Sequence, residues 1–249
     1  MFNRFWVFMT TLLAVSFSGT TADAGMVYNA NNSFKNYQLA NAGDVSSTFG
    51  NFSAGYDEVL GGFTAFTDAE NTDNWFDPNL QGWRVTSVYN VAAAVVNTSN
   101  APVSGVLNPG SIAPAEIILH GGGSDFDGSG TNTNAVLRFT STIAGEYTII
   151  GSWRSLDSGS TINYVLKNSS TLFSSSADNS SFNLTTTLGV GETIDFVVNN
   201  NNDGFGFDST GLFAEITAVP EPTMLALFGV GGVGMFGLVK RRRKSSLAV

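Results

Sequence analysis

The chain has 249 residues, a formal net charge of −9 and no cysteine. Because no disulfide can form within it, its fold must be stabilised by an apolar core. The chain has eleven lysines and arginines in total. Nucleic-acid recognition needs clustered bases that displace counterions from the phosphates, so this composition excludes it.

The N-terminus predicts a cleaved signal peptide over residues 1–24. Arg4 supplies a short positive region, and residues 5–17 are largely apolar. Ala22 and Ala24 provide the small-x-small pattern that signal peptidase accepts. We therefore expect signal peptidase to cleave after Ala24 and the rest of the chain to be exported. An uncleaved N-terminal anchor is the alternative, and the short apolar region argues against it.

Residues 25–218 are expected to form one exported domain. The segment is rich in Asn, Ser, Thr and Gly, and with five basic and eighteen acidic residues it carries a charge of about −13. The one stretch with helical spacing runs from Val91 to Val96. Short alternating segments bounded by Gly and Asn instead predict an all-β domain, an antiparallel β-sandwich.

Strand alternation is clearest in the C-terminal half of this domain. One predicted strand places Ile194, Phe196 and Val198 on the same face. The alternation recurs in three further segments, which comprise Tyr147, Ile149 and Trp153; Ile162, Tyr164 and Leu166; and Leu212, Ala214 and Ile216, with Glu215 and Thr217 opposite. In the N-terminal half, residues 83–89 and 116–119 are the strand candidates.

No catalytic residue is nominated by the sequence. His120 is the only histidine, and the three glycines after it favour a structural role at a strand end over a catalytic one. A hydrolase built from two carboxylates needs them roughly 5–10 Å apart, and no spacing singles out such a pair. We therefore expect a domain without enzymatic activity, with a polysaccharide-acting hydrolase as an alternative.

One loop has the spacing of a calcium site. Asp125, Asp127 and Ser129 place oxygen atoms at alternate positions, and Gly130 supplies the glycine at the sixth position. The twelfth position is Val136 rather than glutamate, so a Ca²⁺ ion would need further ligands from elsewhere in the fold. A polar hairpin loop without metal is the alternative.

Trp75 is the candidate for stacking against a saccharide ring. It lies in a polar segment without strand alternation, where an exposed aromatic side chain would need an explanation. Trp83 and Trp153 lie in predicted strands, so we expect both to be buried in the core. Packing of Trp75 beneath a long loop is the alternative to ligand contact.

The last thirty residues combine three features in a fixed order. A Pro-Glu-Pro box should be extended, because proline fixes φ and lacks an N–H donor. The apolar, Gly-rich run at residues 224–239 is sixteen residues long, against roughly 20 for an untilted membrane-spanning helix. A basic cluster after it should stay in the cytoplasm. The box comprises Pro220, Glu221 and Pro222, and the cluster Lys240, Arg241, Arg242, Arg243 and Lys244.

This order resembles the PEP-CTERM sorting signal of bacterial surface and exopolysaccharide-associated proteins, here over residues 219–249. The resemblance implies a membrane-anchored precursor whose box is recognised by an exosortase, a membrane-embedded enzyme that removes the tail. It also implies a mature protein in the cell envelope, on the cell surface or in the extracellular matrix. The same tail is known as an ice-binding protein C-terminal domain, a name that implies nothing about ice. A tail anchor that is never cleaved is the alternative.

A second resemblance rests on strand and turn signals at residues 136–140, 144–148, 188–196 and 208–212. They look like the strand sequence of jelly-roll domains in exported PEP-CTERM proteins, which are similar to carbohydrate-binding modules. The resemblance spans about residues 116–217 and implies a fold without identifying ligand residues. It makes binding of extracellular polysaccharide or matrix the leading hypothesis, and a purely structural envelope or biofilm component the alternative.

Overall fold

The computed structural model describes residues 25–70, 77–85, 92–107, 110–123, 132–176, 178–201 and 206–219. Within these residues the helix is α1 (Ala30–Ala40). The strands are β1 (Met26–Asn29), β2 (Thr48–Phe49), β3 (Phe52–Asp57), β4 (Thr64–Ala65), β5 (Asp68–Glu70), β6 (Leu80–Arg84), β7 (Ala93–Asn97), β8 (Ile117–His120), β9 (Asn134–Thr140), β10 (Gly145–Ser155), β11 (Ile162–Lys167), β12 (Ser170–Ser175), β13 (Asn179–Leu188), β14 (Thr193–Asn199) and β15 (Ser209–Val219).

The strands form two antiparallel sheets. Sheet A has the order β13-β10-β15-β8-β7-β6-β5, and β1 pairs with the end of β15 beyond β8. Sheet B has the order β12-β11-β14-β9-β3-β2, and β4 pairs with β3. The two sheets enclose a common apolar core. The predicted all-β antiparallel sandwich is confirmed.

Alternating apolar side chains fill the space between the sheets. From β14, Ile194, Phe196 and Val198 all reach this core, as their spacing predicts. Trp83 and Trp153 are also buried in it, which confirms the expectation from their strand positions. Burial of a large apolar side chain contributes about 1.5–3 kcal/mol, so these alternating positions stabilise the sandwich in place of disulfides.

Two local features differ from what the sequence pattern indicates. Within the stretch with helical spacing, residues 93–96 belong to β7, a strand paired with β6 and β8 in which every residue is buried. Full burial on both faces removes the alternation that would have identified a strand. The helix α1 was missed, although Asn29 provides a helix cap by accepting a hydrogen bond at Oδ1 from the Asn32 N–H at 2.9 Å.

In β11 the alternation is real, but its apolar face lies outside the sandwich core. Val165 points into the main core, whereas Tyr164 and Leu166 pack with Val136 and Val197 on the outer face of sheet B. That outer face is covered by other side chains, so both faces of β11 bury apolar groups. A strand buried on both sides cannot be oriented from its own sequence.

Candidate functional site

Every site residue predicted from the sequence lies outside the described residues. These residues are Ala22, Ala24, Trp75, Asp125, Asp127, Ser129, Pro220, Glu221, Pro222, Lys240, Arg241, Arg242, Arg243 and Lys244. The predicted membrane span at 224–239 also lies outside them, and the described part of the chain has no helix long and apolar enough to cross a membrane. In that same part, no three His, Asp or Glu side chains converge where they would hold a metal ion.

The base of the predicted calcium loop is described. Gly122 and Thr133 form an antiparallel bridge, with N–H to carbonyl oxygen distances of 2.8 and 3.0 Å. Asn200 donates from Nδ2 to the Gly122 carbonyl at 2.9 Å and to Oδ1 of Asn132 at 3.2 Å. The described residues that flank the predicted calcium loop, Gly122, Asn132 and Thr133, are therefore held by protein hydrogen bonds.

His120 ends strand β8, as the sequence predicts. Burial lowers the pKa of its imidazole to about 4, and its Nδ1 lies 3.2 Å from Oγ of Ser209. Asp157 accepts a hydrogen bond from the Ser209 N–H at 3.1 Å, and burial raises the pKa of this carboxyl group. A neutral imidazole held inside the fold supports the structural interpretation of His120.

A cleft opens on the outer face of sheet A, with a volume of about 400 Å³. It lies between the start of α1, strands β10 and β15, and the segment at Pro114 and Ala115. Cavities of roughly 300–1,000 Å³ with apolar walls and a few polar groups are typical of small-ligand sites. Its size and position make this cleft the candidate functional site.

Strand alternation exposes the apolar floor of this cleft. In β15, Leu212 and Ala214 face the core, so Phe213 between them points outward and keeps 37% of its surface exposed. Ile150 on the neighbouring strand β10 is 48% exposed. Glu215 also points outward, which confirms the face predicted for it. Phe213 occupies a position at which the alternation of β15 would place a polar residue. An aromatic residue there indicates a candidate binding surface, and our sequence analysis missed it.

Asn31 fixes the shape of the cleft from below. Its Nδ2 donates to the carbonyl of Leu212 at 2.7 Å and to that of Ala115 at 3.0 Å. Its Oδ1 accepts a hydrogen bond from the Ala214 N–H at 2.9 Å. One buried carboxamide thus joins the start of α1, strand β15 and the opposite wall, so the site is preformed.

The rim of the cleft carries polar groups that differ in character. Asn29 donates from Nδ2 to Oε2 of Glu215 at 3.5 Å, and the side chain of Asn32 is exposed beside them. Carboxamides both donate and accept hydrogen bonds, while an ionised carboxylate only accepts. The cleft therefore combines an apolar floor with hydrogen-bonding groups along one side.

An ion pair between Arg154, which is partly exposed, and the buried Glu116 holds the wall that rises above the sheet. Nε of Arg154 donates to Oε1 of Glu116 at 3.0 Å, and Glu116 is fully buried. The same guanidinium donates to the Ser111 carbonyl at 2.7 Å, and Glu116 accepts from the Ala113 N–H at 2.7 Å. Gly211 lies beneath this pair, where a Cβ atom would stand 2.2 Å from the Glu116 carboxylate. The glycine permits the close approach that brings residues 111–116 over sheet A.

Residues 218–244 match the PEP-CTERM protein-sorting motif. This match confirms the interpretation of the tail that the Pro-Glu-Pro box, apolar run and basic cluster predict. The motif implies an exported protein that is sorted to the cell envelope or surface by an exosortase, with a precursor associated with the membrane. A search of curated protein sequences found no relative of this chain.

Several solved structures overlap part of the domain. A CBM51 module from Clostridium perfringens GH95 in complex with methyl-galactose shares 13% identity, covering 47% of this chain and 79% of that one with a TM-score of 0.29. A family 35 carbohydrate-binding module from Clostridium thermocellum shares 12% identity over 52% and 88%, with a TM-score of 0.28. Pika GITRL shares 15% identity over 35% and 75%, with a TM-score of 0.25. The sandwich fold of this chain is shown by its own strand pairing.

Proposed function

We propose that the exported domain binds neutral polysaccharide of the cell surface or matrix, without enzymatic activity, in the cleft beside α1. The observation that supports this proposal most is the exposed ring of Phe213 on the floor of a preformed cleft with a polar rim. The pyranose ring presents an apolar face of C–H groups and an edge of hydroxyls. A site that recognises it needs an aromatic or aliphatic surface beside hydrogen-bonding groups.

The cleft supplies both kinds of contact. Phe213 and Ile150 both line the cleft as diagonal neighbours, since Ile150 is paired with Glu215 and Ser152 with Phe213 across β10 and β15. Glu215 can accept hydrogen bonds from two neighbouring hydroxyls, and the Asn32 carboxamide can donate to or accept from a third. The cavity of about 400 Å³ would hold one or two sugar units and leave a polysaccharide chain free to continue over sheet A.

Charge supports a neutral glycan as the ligand. The exported segment carries about −13, and Glu215 adds a carboxylate to the site itself. Uronic acids and sulfated sugars would be repelled by this field, whereas uncharged hexoses would not. Among the described residues that line the cleft Glu215 is the only acid, which supports binding rather than hydrolysis by a pair of carboxylates.

The test is affinity gel electrophoresis of the full-length chain in a sugar-free detergent, with dextran, laminarin or galactan as neutral probes and alginate as the anionic probe. We expect retardation by at least one neutral polysaccharide and none by alginate. Phe213→Ala should weaken retardation roughly two- to tenfold, because aromatic contacts contribute about 0.5–1.5 kcal/mol. Glu215→Gln should weaken it to a smaller extent.

Phe207→Ala is the matched control. Phe207 is 63% exposed and lies six residues before Phe213, outside the cleft. Its removal should leave retardation unchanged. Equal losses from the two phenylalanine variants would contradict the proposed site, while no binding to any probe would favour the purely structural alternative.

A further inference from the structure

Strand β13 is an open sheet edge of unusual length. In the described part of the chain it pairs with β10 alone, and it runs for ten residues without a register shift. The other edge strands among the described residues are guarded. β2 and β4 have two residues, β5 has three and β1 has four, while the pairing of β12 shifts register after Val165. Short or irregular edges resist pairing with another chain, and β13 lacks both protections.

Hydrogen bonds at its two ends show which main-chain groups of β13 are open. The Asp178 carbonyl accepts a hydrogen bond from the Ser155 N–H of β10. The N–H and C=O groups of even-numbered residues therefore point toward β10. The Thr187 carbonyl accepts from Nζ of Lys167 at 2.6 Å, on the opposite side. Because direction alternates along a strand, the N–H and C=O groups of odd-numbered residues face outward. Ser181, Asn183 and Thr185 therefore present these groups along the edge.

The side chains of β13 carry no charge, in contrast to the acidic domain around them. The strand reads Asn-Ser-Ser-Phe-Asn-Leu-Thr-Thr-Thr-Leu. Two copies of a domain with about −13 would repel each other on most surfaces, but this edge lets their backbones meet without facing acids. Charged groups of both signs flank its ends. Arg154 of β10 is paired with Asn179 and Glu146 with Thr187, and Nζ of Lys167 lies 3.3 Å from Oε2 of Glu192.

We propose that β13 pairs with β13 of a second copy of this chain, antiparallel and about a two-fold axis at Asn183. In this register Asn183 faces its own equivalent, Ser181 faces Thr185 of the second copy, and Asp178 lies near the second copy's Lys167. The pairing joins the two A sheets edge to edge, and their outer faces form one continuous surface. Each interface then rests on main-chain hydrogen bonds and side-chain contacts between two uncharged strands.

The test is disulfide cross-linking of the full-length chain in an exporting host, without added polysaccharide. Since the native chain contains no cysteine, every cross-link reports an introduced one. Directly opposed residues of a hydrogen-bonded antiparallel pair have Cα atoms about 5.5 Å apart, within disulfide range. Under mild oxidation, Asn183→Cys should yield a disulfide-linked dimer as the main species. Ser181→Cys alone should not, because two copies of this position stand about 13 Å apart along the strands.

Two further variants make the outcome decisive. Ser181→Cys combined with Thr185→Cys should restore the dimer, because the cysteine at position 181 of one copy then faces the cysteine at position 185 of the other. Glu146→Cys, on the exposed face of β10 and one strand inward, measures chance collisions. If Asn183→Cys gives no more dimer than Glu146→Cys, or if the double variant gives no more than Ser181→Cys alone, self-pairing in this register is wrong.

Discussion

The outer face of sheet B at β9, β11 and β14 and the outer face of sheet A at β10 and β15 have opposite characters. On sheet B the outward side chains Val136, Leu166 and Val197 form a buried cluster, covered by Phe63. On sheet A, the outward side chains of β6, β7 and β8 also form a buried cluster, which includes Leu80, Val95 and Ile118. Where β10 and β15 pair, in contrast, the outward side chains Ile150 and Phe213 stay exposed. A face that is covered has a structural task, whereas an open face with apolar groups and a cleft is available for a ligand. The comparison therefore assigns stability to the covered outer face of sheet B and recognition to the open part of sheet A at β10 and β15.

Charge follows the same division. On sheet B, Arg138 donates to both oxygens of Asp195 at 2.7 and 2.8 Å, and Asp195 is fully buried. The guanidinium also lies 4.4 Å from the centre of the Phe63 ring. On sheet A, the outward Glu215 stays exposed, with Asn29 beside it. Removal of a partner should consequently matter far more for Asp195 than for the exposed Glu215.

Arg138→Met should have the largest effect on stability. The substitution keeps most of the side-chain volume and leaves the Asp195 carboxylate buried without its partner, which should cost about 3–5 kcal/mol. Urea unfolding followed by tryptophan fluorescence measures the loss. Glu215→Gln on sheet A is the control and should change the free energy of unfolding by less than about 0.5 kcal/mol. Similar losses in the two variants would remove the distinction between the faces.

Val136→Ala and Val27→Ala form a matched pair of the same chemical change. Val136 is fully buried on the outer face of sheet B, and Val27, paired with Thr217 on sheet A, is 55% exposed. Loss of two buried methyl groups should lower the free energy of unfolding by about 2 kcal/mol, and loss of exposed ones by less than about 0.5 kcal/mol. The same urea titration tests both variants. Equal losses of unfolding free energy would contradict the difference in burial between the two positions.

A smaller effect should come from Asp57, which is buried on the outer face of sheet B. Burial raises the pKa of its carboxyl group to about 6, while hydrogen bonds from Asn134 and Gly61 oppose this shift. Nearby Asp195 also raises the pKa, and Arg138 lowers it. Because the folded pKa exceeds the unfolded one, the stabilising contribution is complete below about pH 4 and is lost as pH rises through about 6.

The wild-type chain should therefore gain about 1 kcal/mol relative to Asp57→Asn when the pH falls from about 7 to about 5. Urea unfolding at both pH values measures this difference. His120, whose pKa burial lowers to about 4, acts in the opposite direction, since its contribution is lost as pH falls from about 6.5 through 4. Its effect is common to both chains and cancels. An unchanged difference between pH 7 and 5 would show that Asp57 is not held in this environment.

The sequence predicted the sandwich because alternation reports which side chains of one strand share a face. It could not predict which outer face is covered, since Val136 and Val197 come together only through the pairing of β9 with β14. The cleft could not be predicted from the sequence for a similar reason. Its floor in β15 and its wall in α1 are joined by the bond from Asn31 to Leu212, across 181 residues of sequence. The sorting tail was predictable because its three parts are contiguous and need no tertiary contact.

Side-chain oxidation footprinting of the full-length chain, with and without the neutral polysaccharide that binds it, tests the central assignment most directly. Hydroxyl radicals label exposed aromatic and aliphatic groups, so the method reads both faces in one experiment. We predict that labelling of Phe213 and Ile150 falls on binding, while labelling of Phe207 and of Tyr164 on sheet B is unchanged. Protection of Phe207 or Tyr164 with Phe213 unaffected would contradict the assignment of recognition to the open face of sheet A.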